Sequence, residues 1–210
     1  MHTSFYALAL LLLGSACSPT PEKTETLTRV PAPIPAASPP SATIDSVTGT
    51  PLATVNAFMG WYARYQDQLN SMPFVPAAND EDTTNYYAVD FRVVERYVAL
   101  LHQSGQLAPA YLEDHRRYFR QCQDSLLAHP QTQGPPQGLD FDRVMYTQDA
   151  EAQTQLVLRS RPSIVTGQDS TRVVYRWQER DMSEGPDLAF ILLKEQGHWK
   201  IQAIKPIIDR

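Results

Sequence analysis

Along the first part of the folded stretch, apolar residues recur every three or four positions. From Pro51 onward Leu52, Val55, Phe58, Met59, Tyr62, Tyr65 and Leu69 fall on one stripe, the signature of a helix with 3.6 residues per turn. Residues 71–85 lose that period and contain two prolines and the acidic run Asp80, Glu81, Asp82, which predicts a loop. Asp90 is placed to cap a second helix carrying Val93, Val94, Tyr97, Val98 and Leu101, ended by Ser104 and Gly105. Pro109 suits the first turn of a third helix. Its stripe is Tyr111, Leu112, His115, Phe119, Cys122 and Leu126. Pro130, Gly134, Pro135, Pro136 and Gly138 then interrupt all regular structure.

Past that break the period falls to two. Val173, Tyr175 and Trp177 alternate with Arg172, Val174, Arg176 and Gln178. Strands are expected near 141–147, 153–160, 171–179, 187–194 and 198–207. Leu188 to Leu193 is apolar on both faces and reads as a central strand. Turn residues at 167–169, 185–186 and 196–197 make neighbouring strands antiparallel. Helices first and strands after predict an α+β fold, with N-terminal helices packed on a curved antiparallel sheet of about four to five strands.

The stretch before residue 51 has a different character. Phe5 to Leu13 is a continuous apolar run followed by Gly14, Ser15, Ala16 and Cys17. The run is too short for a spanning helix, which takes about 20 residues, and fits the apolar region of a signal peptide. Residues 1–16 therefore read as a lipoprotein signal cut before Cys17. The cysteine would then carry diacylglycerol and an acylated amino group, and two or more chains make a stable anchor. Met1 to Ser4 has no Lys or Arg, and Gly14 stands where such signals usually carry Leu. An ordinary secretory signal cut after Ala16 is the alternative. Ser18 is compatible with sorting to an outer membrane. From Cys17 to residue 50, prolines at 19, 21, 31, 33, 35, 39 and 40 and the absence of aromatics predict a disordered tether. Extended, it would reach about 100 Å from the lipid. The folded domain is expected over 51–210.

Charge narrows the partners. The chain of 210 residues has a net charge of -5, and from residue 51 onward it holds 16 basic and 20 acidic residues. With no Lys/Arg cluster, neither phosphate backbones nor polybasic membrane binding is expected. The expected partners are a bilayer, through the acyl chains, and a small ligand or envelope protein; nucleic acid is excluded. Of two cysteines, lipidation of Cys17 leaves Cys122 without a partner in the chain.

Motifs for common chemistry are missing. There is no G-x-S-x-G, no G-x-G-x-x-G and no Walker pattern. Histidines 2, 102, 115, 129 and 198 contain no pair at i, i+4 spacing, so neither a metal site nor a cofactor is expected. Cys122 reads as a small buried hydrophobe. His115, on the apolar face of the third helix, is either a core imidazole or a pocket group. Asp140, Asp142 and Asp149 flank the entry to the sheet. They serve as turn and cap residues, or as acid–base groups where burial moves the pKa. Trp61, Tyr62, Tyr86, Tyr87, Tyr118 and Trp177 either pack the core or line a cup between the sheet and the helices. The candidate ligand-binding residues are Trp61, Tyr62, Tyr87, His115, Tyr118, Asp142 and Trp177.

Four segments carry a resemblance: FMGWY in the first helix, residues 86–122 across the next two, DRVMYTQDA, and the closing GHWKIQAI. Together they resemble a family of bacterial lipoproteins common in Bacteroidota, over roughly residues 51–207. The resemblance implies a cystatin-like or nuclear-transport-factor-like cone and a place in the cell envelope. It brings no catalytic residues with it. The expected function is a membrane-anchored, non-catalytic binding module for a small ligand, envelope polymer or protein. One alternative is an immunity or inhibitor protein blocking a cell-wall-degrading enzyme, with the acidic loop at 79–82 as its contact. Another is a cone-fold enzyme, which requires Asp90, Asp142 or His115 to face a cavity beside a tyrosine hydroxyl.

Overall fold

In a computed structural model, which describes residues 49–79, 84–167, 170–177 and 185–208, the first helix begins where the proline-rich composition ends. Helix α1 (Pro51–Asn70) has Thr50 as its cap, whose side chain accepts the Ala53 N–H at 3.1 Å. The cap satisfies a donor that the first turn leaves orphaned. Its expected stripe is inward: Val55, Phe58, Met59 and Tyr62 are fully buried. After a short 3-10 turn (Pro76–Asn79), Asp90 caps α2 (Phe91–His102) through the Arg92 N–H. Helix α3 (Pro109–Ala128) starts on Pro109, as its sequence predicts, and buries the whole stripe from Tyr111 to Leu126.

The four strands, β1 (Ser163–Thr166), β2 (Thr171–Tyr175), β3 (Asp187–Glu195) and β4 (His198–Ile207), form one antiparallel sheet in the order β1-β2-β3-β4. The fold is α+β. Alternation places Val173 and Tyr175 of β2, Leu188, Phe190 and Leu192 of β3, and Ile201 and Ile204 of β4 in the core, each at most 2% exposed. Each such side chain contributes about 1.5–3 kcal/mol relative to exposure. Helix α1 packs on β2, β4 and the fourth helix, α4 (Ala150–Arg159), while α3 lies on β4 and carries α2. The pairing jumps from Ile191↔Ala203 to Leu192↔Ile201, so Gln202 is an extra residue in β4. Such a bulge bends the strand and sharpens the sheet's twist. The outer edge of β4 is closed by the chain itself: Ala108 N–H donates to the Ile201 carbonyl and Ile201 N–H to Gln106. Tyr146 donates its hydroxyl to the Ile204 carbonyl at 2.8 Å.

Two expected strands are something else. Residues 153–160 fall mostly in helix α4, whose cap is Asp149, accepting the Ala152 N–H at 3.0 Å. The helix buries Ala150, Gln153, Thr154 and Val157, a stripe at i, i+3, i+4, i+7 whose middle two residues are too polar to register as apolar. Residues 141–147 make turns, with one isolated bridge between Asp142 and Thr147. Conversely β1 occupies 163–166, where all four residues are exposed and no alternation of burial marks a strand. Residues 1–48, with the expected signal, Cys17 and all but the last two residues of the expected tether, lie outside the described residues, as do Asp80, Glu81, Asp82, Gln168, Asp169 and Gln178. No described helix is long and apolar enough to cross a membrane.

Candidate functional site

The segment from Pro136 to Gln148 follows the Pro/Gly break and is organised by one side chain. Asp142 donates its backbone N–H to Thr147 and accepts the Tyr146 N–H on its carbonyl. Its Oδ1 accepts the N–H groups of Val144 at 2.8 Å and Met145 at 2.6 Å. This is the turn chemistry expected of aspartate, whose short side chain replaces a backbone acceptor. Val144 and Met145 are thereby pressed into the core, both fully buried. On Oδ2 the carboxylate accepts the Tyr62 hydroxyl at 2.5 Å, and the Asn70 side chain donates to it as well. Burial lifts the Asp142 carboxyl above the usual carboxylate range, although all four donors pull the other way. The same burial, with the carboxylate beside it, holds the Tyr62 phenol far above its ordinary value.

Next along the chain, Arg143 enters a slot between two tyrosines. Its guanidinium lies 4.6 Å from the ring centre of Tyr118 and 4.8 Å from that of Tyr146. A cation over an aromatic face gains about 0.5–2 kcal/mol, more as water is excluded. One terminal nitrogen pairs with Asp114 at 3.2 Å, while Nε is buried with no protein acceptor. Tyr146 pays for its position: its φ of 57° is in the left-handed region, which costs a bulky residue about 1–3 kcal/mol. Its bonds to Asp142 and Ile204 hold it there. Charge, strain and an unmatched buried donor thus meet in a few consecutive residues, a combination common at sites of function.

Two cavities open on either side of this segment. The first, of about 370 Å³, lies between the end of α1, the loop around Phe74, helices α2 and α3, and residues 136–148. Its wall combines Phe74, Tyr97, Phe119, Leu139 and Phe141 with Asn70, Asp140, Asp142, Arg143 and Gln148. The second, of about 670 Å³, lies between the N-terminal half of α3 and β4 and includes Tyr111, Asp114, Arg117, Tyr146 and Lys205. Arg143 belongs to both walls. The first cavity falls in the lower range of small-ligand sites and has their mixture of rings and convergent polar groups.

The candidate residues scatter against this geometry. Tyr118 and Asp142 line the first cavity, and Tyr62 reaches its wall by holding Asp142. Tyr118 also donates its hydroxyl to the Gly138 carbonyl. Trp61 is in the core, its ring 5.0 Å from Tyr65. Tyr87 is buried and ties the break to the helices, donating to the Gly134 carbonyl at 3.0 Å. Trp177 is pinned at the sheet's end, its ring N–H on the Pro186 carbonyl at 3.2 Å and its backbone N–H on Asp187. His115 is 1% exposed among Tyr97 and Tyr111. Its pKa is pushed down to about 3, first by burial and then by Arg143, so the ring is neutral. Tyr86 is exposed, and Asp90 and Asp149 are helix caps. The expected cup against the sheet is displaced, because α1 and α3 fill the sheet's inner face and no strand residue lines the first cavity. Asn70, Phe74, Tyr97, Phe141, Arg143 and Gln148 complete it without having been singled out in the sequence. The one signal was the run Asp140-Phe141-Asp142-Arg143, polar and aromatic together after a Pro/Gly break.

Among the described residues no group of three or more His, Cys, Asp or Glu could hold a metal ion. No protein-family model, curated protein or solved structure matches the chain.

Proposed function

We propose that this chain is a lipid-anchored envelope protein whose folded unit is a non-catalytic binding module, with the first cavity as its ligand site. The observation that carries the reading is a ligand-sized space of about 370 Å³ whose wall combines aromatic rings with amide, carboxyl and guanidinium groups. Asp142 meets the geometric condition set for an enzyme, a carboxyl at a cavity beside a tyrosine hydroxyl. Its oxygens, however, are already occupied by Tyr62, Asn70, Val144 and Met145. A carboxylate so engaged organises a wall, and a general base needs a free lone pair aimed at substrate. Cys17, the proposed lipid attachment, supplies the anchor.

Indole, a small apolar probe with one donor, tests the cavity. Saturation-transfer NMR on the full chain is expected to show transfer to indole. Leu139→Trp and Ala78→Phe, which both fill the cavity, should abolish it while circular dichroism stays unchanged. Transfer that persists in both folded variants would remove the cavity from consideration. For the anchor, Cys17→Ser should release the protein from membranes to the soluble fraction, and a release that does not occur rules out lipid at Cys17.

A further inference from the structure

We infer that the first cavity selects an uncharged saccharide of one or two pyranose rings. The inference rests on that cavity being the ligand site, and goes on to name the ligand's chemistry. Three observations lead there.

The first is charge. The cavity's wall holds two carboxyl groups, Asp140 and Asp142, against one guanidinium, Arg143, and no Lys or His. An anionic ligand such as a phosphate or carboxylate would need an excess of cationic donors. The one cation among the described lining residues, Arg143, is already paired with Asp114 and lies over the rings of Tyr118 and Tyr146. A cationic ligand would meet Arg143 in the same wall; the acceptor sites of Asp142 are filled by Tyr62, Asn70, Val144 and Met145, and the other carboxylate, Asp140, is exposed, where an ion pair gains little. A neutral ligand avoids both conflicts.

The second is the kind of polar group present. Asn70, Asp140 and Gln148 end in planar groups, and all three are exposed residues at the rim of the cavity. Planar amides and carboxylates can engage two adjacent oxygens at once. Adjacent hydroxyls on a sugar ring present donors and acceptors at matching spacing.

The third is the apolar part of the lining. Phe74 and Phe141 are partly buried and line the same space as Leu139 and Met72. A pyranose has an apolar face of axial C–H groups and a polar rim of hydroxyls. A lining that holds both apolar side chains and exposed polar ends is complementary to that ring. It fits less well to a wholly apolar ligand, which would offer no hydrogen-bond partner to Asp140 and Gln148 as it displaced their water. The volume of about 370 Å³ admits one or two such rings.

The test uses the full chain and three probes: N,N′-diacetylchitobiose, cellobiose and glucuronic acid, with indole as the reference. Saturation transfer should reach the ring C–H protons of at least one neutral disaccharide. Leu139→Trp and Ala78→Phe should abolish it. Gln148→Ala and Asp140→Ala should each weaken binding about tenfold, as expected for losing a good hydrogen-bond partner, while leaving indole binding within about twofold. If indole binds and neither disaccharide does, the saccharide inference is wrong and the cavity reading stands. Glucuronic acid binding tighter than both disaccharides also overturns it, since the charge argument would then have failed. If indole and both disaccharides show no transfer, both readings fall together.

Discussion

Two buried regions of this protein solve the same packing problem with different chemistry. Between α1 and the sheet the interior is apolar: Val55, Phe58, Met59, Val173, Leu188, Phe190 and Leu192 are all fully buried. Around residues 136–148 the interior mixes apolar side chains such as Val144, Met145 and Phe119 with tyrosines, an imidazole, a carboxylate and a guanidinium. Tyr62, Tyr97, Tyr111 and His115 are each at most 4% exposed there. The first region is held by area, which tolerates small displacements of any one side chain. The second is held by donor–acceptor geometry, in which every unmatched group costs about 1–3 kcal/mol. It still leaves the Tyr111 hydroxyl, His115 Nδ1 and Arg143 Nε without protein partners. Gln66, Gln106, Gln153 and Thr154 each hold such an atom elsewhere in the fold. The contrast teaches that the sheet side is secured mainly by apolar area, and that the polar side depends on which donors and acceptors meet.

The sharpest way to break this contrast is to damage each side in turn. Phe190→Ala opens a cavity in the apolar side and should cost about 3–5 kcal/mol, read as a lower midpoint in urea unfolding. Asp142→Ala should come next, at about 2–4 kcal/mol, because it removes the acceptor of Tyr62 and of two backbone donors together. Tyr62→Phe should cost less than Asp142→Ala. In a double-mutant cycle the pair should couple strongly. If Asp142→Ala costs under 1 kcal/mol, the polar side is not held by geometry at all.

Smaller effects sharpen the comparison. Gly138 has a φ of 80°, and a Cβ there would sit 3.4 Å from Cys122 Sγ and the Tyr118 hydroxyl. Gly138→Ala should therefore cost about 1 kcal/mol or somewhat more from the backbone alone. Arg143→Met keeps the stem between the two tyrosines and removes a charge with an unpartnered buried Nε. Its partner Asp114 is 40% exposed and is hydrated when released. The expected change in stability is within about 1 kcal/mol. A large loss would show that Arg143 secures the fold.

His115 offers a test by pH. Its folded pKa of about 3 lies below the ordinary histidine value of 6.5. The unfolded chain therefore binds this proton first. Stability from the neutral ring is fully present above pH 6.5 and falls as the pH drops towards 3. His115→Gln should flatten that limb of a stability–pH profile. Asp142 works in the opposite sense, because its raised folded pKa favours the folded state on the acid side. The slope lost in the His115 variant separates the two. An unchanged acid limb would mean that the imidazole is not buried as described.

Much of the apolar side was legible in the sequence. Helical stripes at Val55, Val93 and Tyr111 onward, and the alternation of Val173 and Tyr175, state which residues go inward, and these are inward. The errors have a common cause. Helix α4 buries Gln153 and Thr154, so its stripe is spatially helical but chemically mute. The Gln153 side chain earns its burial by donating to the Pro186 carbonyl at 2.8 Å, a partner more than thirty residues away. At 141–147 alternation suggests a strand, but the Asp142 carboxylate captures two local N–H groups and closes a turn instead. At the candidate site, Tyr118 and Asp142 were legible as side chains fit to meet a ligand. Trp61, Tyr87, His115 and Trp177 were equally aromatic or titratable and are spent on packing and on backbone carbonyls.

By itself the sequence determined the fold class, the first three helices, three of the four strands and the apolar core, because these follow from periodicity, which is local. Only the tertiary structure decided which polar residues meet. Arg143 lies 25 residues from Tyr118 and Asp142 lies 80 from Tyr62, and no spacing rule connects them. Whether a tyrosine fills a core or faces a cavity depends on what the rest of the chain places opposite it, and that information resides in the packing.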